Sequence, residues 1–164
     1  MGMQLPGALA TLLQDLGYNW PKSDEEKMFN MGNSWMDFTG KVDQPVNDAH
    51  SHATQVWTQH RGEGVQAFQN KWNDKDAPHT NLLDGKTGGT IISAGLMICS
   101  GIVLALKINV IVQLVQLAIE IFQAIATAPE TLGGSLAEIP VFKEISSRLV
   151  NLCISLAMNA VLGG

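Results

Sequence analysis

Apolar residues recur along this chain at steps of three and four, the spacing that places them on one face of an α-helix. Near the start, Leu9, Leu12, Leu13 and Leu16 follow i, i+3, i+4, i+7. This predicts a short amphipathic helix over Gly7 to Leu16, ended by Gly17. A longer series runs Met28, Met31, Trp35, Phe38, Val42, Ala49, Ala53 and Val56. Its alternating steps hold one heptad-like seam against a partner helix. Ahead of it, Ser23 reads as the N-cap and Glu26 as its capping-box partner, while Asp24, Glu25 and Glu26 suit the positive end of the dipole. Pro45 interrupts the series. An interior proline costs a helix ~3 kcal/mol, so a kink near Gly40 to Pro45, or a restart capped by Asp43, is expected. The seam resumes in phase, which favours the kink.

His60-Arg61-Gly62-Glu63-Gly64 breaks the pattern, its glycines supplying a helix C-cap and a tight reversal. Val65, Phe68 and Trp72 then define a third helix, and the two antiparallel helices make an αα-hairpin over about 22–77. Asn73 to Gly89 is polar and turn-rich and reads as a loop, with a short helical stretch around Leu82 and Leu83.

The second half changes character. No residue from Thr90 to Leu106 is charged, and Lys86 and Lys107 flank the run. Beyond Lys107 a polar stripe appears at Asn109, Gln113, Gln116, Glu120, Gln123 and Thr127, which marks the solvated or polar-packed side of one helix. No turn signal interrupts Ile91 to Ala126, so one long apolar helix over about 90–128 is expected, ~50 Å at 1.5 Å per residue. Pro129 to Pro140 reads as a loop. Pro140 suits the first turn of a last helix over about 140–162. There Glu144, Arg148, Asn151, Ser155 and Asn159 form the polar side, with Ile145, Leu149, Leu152, Leu156 and Val161 opposite. The fold class is all-α: a bundle in which the hairpin packs on the long helix and the C-terminal helix. The chain reads as one domain over 1–164, with a first helix plus hairpin in 1–77 and a hydrophobic half in 78–164.

Charged residues make up 15% of the 164, against ~25% in typical globular domains. Much of the surface must therefore be hidden in the chain's own core, in a partner or in lipid. The net charge of −5 carries no basic stripe, which argues against nucleic acid. Cys99 and Cys153 lie in apolar stretches and read as buried reduced thiols. The stretch from Met1 to Gly17 lacks a basic n-region and contains Asp15, so export through a general signal peptide is not expected.

Nothing points to catalysis, a cofactor or a metal. His50 and His52 are two residues apart, on different helix faces, and His60 is two turns on. Helical metal pairs want steps of three or four, so solvent-exposed histidines are expected. Gly85-Lys86-Thr87 ends like a phosphate-binding loop without its upstream glycine. Glu25 and Glu26 read as helix-capping carboxylates rather than as a catalytic pair. Glu120, the one acid in the long apolar helix, would be functional in a membrane and otherwise belongs to the polar stripe. The four tryptophans, Trp20, Trp35, Trp57 and Trp72, are the strongest signal. They suit core anchors and also hot spots for another helical protein, and the two roles are compatible.

Trp20-Pro21, Asp24-Glu25 and Trp35, followed by Gly62-Glu63-Gly64-Val65-Gln66-Ala67-Phe68 and Trp72, resemble the WXG-like N-terminal domains of actinobacterial polymorphic toxins, associated with type VII secretion. The second half is similar too: an apolar helix rich in Ile, Leu and Gln, then Gly133-Gly134-Ser135-Leu136-Ala137-Glu138-Ile139-Pro140 and a closing helix. The resemblance implies a non-catalytic export or recruitment module. It would pair with a WXG-type helical protein or with itself, and serve a fused or associated toxin domain outside this chain. Trp20, Trp35, Trp57, Gly62, Phe68 and Trp72 are the residues on which such binding would rest. Two departures stand out. The Trp-x-Gly turn reads His60-Arg61-Gly62, and Tyr18, the only tyrosine, is followed four residues on by Lys22 instead of the acid of a Tyr-x-x-x-Asp/Glu secretion tag. Export then depends on a partner that carries the tag. The alternative is a membrane-inserting helical protein that helps a toxin across a target membrane. The uncharged run from Thr87 to Leu106 meets the ~20 residues a spanning helix needs, though Ser93, Ser100 and the glycines from Gly88 to Gly101 dilute it.

Overall fold

The computed structural model describes residues 2–163. Five helices follow one another: α1 (Gly7–Asp15), α2 (Glu25–Gln59), α3 (Glu63–Trp72), α4 (Pro78–Thr127) and α5 (Ile139–Leu162), with a 3-10 turn at Gly134–Glu138. No strand occurs among the described residues, and the class is an all-α helical bundle with one long helix. The chain divides into two compact units, one of Met1–Lys27 with Cys99–Gly164, the other of Met28–Ile98.

In the first unit Leu13, Val110, Leu114 and Val150 form the buried core, with leucines of α1, Tyr18, Trp20, Leu106 and Ile154 packed around it. The leucine periodicity of α1 thus meets α4 and α5. Gly17, at φ +87°, ends α1 in the left-handed conformation that glycine adopts without penalty. Tyr18 donates its hydroxyl to the Ser147 carbonyl at 3.1 Å, and Ser135 donates to the Ala124 carbonyl at 2.7 Å, tying the 3-10 turn to the end of α4.

In the second unit α2 crosses α4 through small residues. Ser93 donates to the Gly32 carbonyl at 2.7 Å. A Cβ on Gly89 would stand 2.7 Å from the Thr39 methyl, so the backbones approach as closely as these residues allow. Val46, Ala53 and Ala77 are buried here as well. The reversal between α2 and α3 turns on Gly62, whose φ of +132° suits glycine.

Several expectations are corrected. The N-cap of α2 is Asp24 rather than Ser23: Asp24 Oδ1 accepts the Lys27 N–H at 3.0 Å, one residue later than the capping-box reading. Pro45 lies inside an unbroken α2, so the restart capped by Asp43 does not occur. Asn73 to Gly89 is not a loop. Only 73–77 connect the helices, because Asp74 accepts the Asp76 N–H with its side chain at 3.1 Å and the Ala77 N–H with its carbonyl at 3.0 Å. Pro78 then opens α4, where a missing N–H removes no helical bond. The long helix therefore begins twelve residues earlier than about 90 and runs for 50 residues, ~75 Å. The glycines that suggested a loop each cost a helix only ~1 kcal/mol, and Gly89 is needed for the crossing. The segment from Pro129 to Pro140 is partly helical, with Leu132 and Gly133 at positive φ before the 3-10 turn.

Candidate interaction surface

The hairpin brings three of the singled-out aromatic residues together. Steps of four on α3 align Phe68 with Trp72, and Trp57 near the end of α2 meets them from across the turn. Ring centroids lie 5.9 Å apart for Trp57 and Phe68, and 5.8 Å for Phe68 and Trp72. The ladder continues into histidines that sequence reasoning set aside. Trp72 stacks on His79 at 4.6 Å, and its indole N–H reaches His50 Nδ1 at 3.1 Å. His50, His52 and His60 are exposed as expected, but His79 is half-buried against Trp72. The missing signal was the start of α4: a residue assigned to a loop could not be placed in the first turn of a helix. Trp35 stands apart from this ladder, edge-on to Phe38 at 6.0 Å and close over Gly89. Phe68 and Gly62 are exposed, while Trp35, Trp57 and Trp72 are half-buried. Among the described residues no group of three or more His, Cys, Asp or Glu could hold a metal ion. Cys99 and Cys153 are free and half-buried rather than fully enclosed.

Trp20 belongs to the first unit and serves a buried polar centre there. Lys107, 1% exposed, places its ammonium 2.6 Å from Glu25 Oε2 and 2.7 Å from the Ser23 carbonyl. The same ammonium lies 5.7 Å from the centre of the Trp20 ring. Glu25 Oε1 takes the Met3 N–H, the Met3 carbonyl takes the Trp20 indole N–H at 3.2 Å, and Ser100 donates to the Glu25 carbonyl at 2.8 Å. Burial pushes the Glu25 carboxyl up, but Lys107 and the Met3 N–H together outweigh it and hold the group below its usual range. Lys107 is thus more than the flank of an uncharged run, and Glu25 more than a helix-capping carboxylate.

The largest surprise is which faces are covered. On α4 the core side is Val110, Leu114, Leu117 and Ala124, all buried. The polar stripe of Asn109, Gln113, Gln116, Glu120 and Gln123 lies about a quarter-turn round, at the surface or half-buried. It is not the only solvated side. Ile108, Val112, Val115, Ile119 and Phe122 form a third stripe that is apolar and exposed, with Phe122 at 72%. On α5 the correction is sharper. Ser146 and Val150 are buried, whereas Ile145, Leu149, Leu152 and Leu156, the seam opposite the polar side, face outward. Two segments, Pro78–Thr127 and Gly134–Leu162, are long and apolar enough to cross a membrane, yet their most apolar windows are only 17% and 11% buried. A core helix of a self-sufficient bundle would be mostly covered. These faces are open.

The family model described as a WXG100 like domain matches this chain over residues 4–149. The chain belongs to that family. No curated protein and no solved structure matches it. The WXG100-like match takes in Trp20, Glu25 and Lys107 of the buried polar centre, the aromatic ladder, all of α4 and the first turns of α5. Membership places the chain among helical proteins related to type VII secretion.

Proposed function

We infer that this WXG100-like domain is a non-catalytic targeting or adaptor domain for type VII-type export of a polymorphic toxin, acting through helix–helix binding to a WXG-type partner or to itself. The observation that carries this reading is the apolar surface left open on α4 and α5. Exposed apolar patches of this extent are rare on self-sufficient monomers and common where another helix docks. The half-exposed tryptophans of the hairpin supply anchors of the kind that dominate helical interfaces. Tyr18 is tied to the Ser147 carbonyl inside the first unit, which suits a domain whose export tag comes from its companion. The toxin is fused to this chain or associated with it, and the chain leaves the cell by the type VII route. Residues 1–164 then act as one functional domain. Co-expression with a WXG-type helical protein is expected to yield a stable complex that no longer binds an apolar dye. A chain that remains a monodisperse monomer, binds no such dye and captures no WXG-type protein removes the basis of the reading.

A second reading rests on the same two helices. Their length and composition suit a membrane, and insertion would help a toxin across it. Flotation with zwitterionic vesicles separates the two: the adaptor stays at the bottom of the gradient, the inserted protein rises.

A further inference from the structure

We propose that the distal half of α4 pairs antiparallel with α4 of a second copy, through the stripe Ile108, Val112, Val115, Ile119 and Phe122. This rests on the helix-binding reading above and names the occupant of one of its open faces. The stripe borders a shallow apolar groove of about 510 Å³ whose lining includes Val112, Val115 and Ile119 together with Gln116 and Glu120. Three features of that face select a second copy.

The first is spacing. From Ile108 to Phe122 the steps are four, three, four, three, and reversed they are three, four, three, four. Two such rows laid antiparallel about Val115 place Val112 beside Ile119 of the second copy and Ile108 beside its Phe122. Knobs then meet gaps along the whole contact. The second is the flank. Asn109, Gln113, Gln116 and Gln123 border the stripe on one side, and an amide is both donor and acceptor. In an antiparallel two-fold pair the axis is perpendicular to the helices, so both amide rows fall on the same edge and can bond to each other. A parallel pair would put them on opposite edges, each against apolar side chains. The third is charge. Flanking charges are what direct a helix to an unlike partner, and on these two stripes Glu120 is the only charged residue. In the antiparallel register it lies near residue 110 of the other copy, so the two carboxylates are held ~15 Å apart along the axis at 1.5 Å per residue. All five apolar residues of the stripe are between 42% and 72% exposed, so the whole row is open to a second helix. A lipid surface would leave the amide row in the acyl region without partners.

The test uses the full chain in a Cys99→Ser, Cys153→Ser background. Light scattering should give a dimer mass, and Val115→Glu should weaken self-association at least tenfold with unchanged helicity by circular dichroism. Under an added oxidant, Val115→Cys chains should cross-link to each other and Val112→Cys chains to Ile119→Cys chains, while Phe122→Cys chains should not cross-link to themselves. A monomer mass at tens of micromolar, a Val115→Glu chain that still dimerises, or efficient Phe122→Cys self-cross-linking overturns the proposal. A monomer that nevertheless captures a WXG-type protein overturns it while leaving the adaptor reading intact. If neither complex forms, both fall. A monomer that floats with zwitterionic vesicles overturns both in favour of lipid.

Discussion

A lysine ammonium inside an apolar helix must find a counter-charge or give up its proton, because burying an unpaired charge costs several kcal/mol. Lys107 meets this demand through Glu25, 82 residues away in the chain, with the Ser23 carbonyl as a second acceptor. Glu25→Gln leaves the ammonium enclosed without its partner and is expected to destabilise the fold by ~3–5 kcal/mol. Adding Lys107→Met to the same chain should recover most of the loss, which a double-mutant cycle in urea would measure. The pH dependence has a definite sign. The folded carboxyl of Glu25 is held below its ordinary 4.5. Its contribution is therefore complete above that value and fades as pH falls through the lower folded value. The wild type should lose stability below about pH 4.5 more steeply than the Glu25→Gln, Lys107→Met double variant. Periodicity could not reveal this pair. It identified Lys107 as the end of an uncharged run and Glu25 as a first-turn acid, and both statements hold locally, but a contact between distant segments leaves no trace in spacing.

Among the elements, α2 and α4 show how much a helix tolerates when packing requires it. Gly89 looks like a breaker in the sequence, yet its absent side chain is what lets Thr39 approach. Gly89→Ala would gain ~1 kcal/mol in helix propensity but drive a Cβ to 2.7 Å from the Thr39 methyl. That methyl is β-branched, and the Thr39 hydroxyl is bonded to the Met36 carbonyl at 2.7 Å, so it cannot swing aside freely. A net loss of about 1–2 kcal/mol is expected from such overpacking. Thr39→Ser in the same chain removes the obstructing methyl and should restore stability to at least the wild-type level. Pro45 offers the opposite case. It is exposed on an unbroken helix, where its ring removes one hydrogen bond and crowds the preceding turn. Pro45→Ala should therefore stabilise the chain, by up to ~3 kcal/mol, read as a rise in the thermal midpoint with unchanged secondary structure. Helix existence was legible in the apolar spacing throughout. Helix ends were less so, since Gly and Pro signal both turns and close packing, and only the Asp74 turn and the Gly89 crossing decide between them here.

At the scale of the whole molecule, spacing tells which residues share a face but not which face a neighbour covers. The all-α class and the Phe68–Trp72 alignment follow from steps of three and four, and the turn from its glycines, whereas the approach of Trp57 to Phe68 across that turn does not. The outward turn of the α5 seam does not, because Ile145, Leu149, Leu152 and Leu156 form as good a stripe as any core-facing row. The face that packs inward is the one that carries Ser146 and Val150, both buried. This arrangement makes a sharp comparison possible between leucines that the sequence alone cannot tell apart. Leu114 is 0% exposed and Leu152 is 53% exposed. Leu114→Ala removes buried methylenes and leaves a cavity, at a cost of ~2–5 kcal/mol. Leu152→Ala at an open surface should change the stability of the isolated chain by less than ~0.5 kcal/mol. The difference should persist in urea titrations of dilute protein, where association contributes little. A bound partner reverses the second result, because Leu152 then becomes part of a covered interface and its truncation weakens the complex. Equal and large losses for both variants in the dilute chain would mean that the α5 seam is already buried, and the open surface on which the adaptor reading depends would no longer exist.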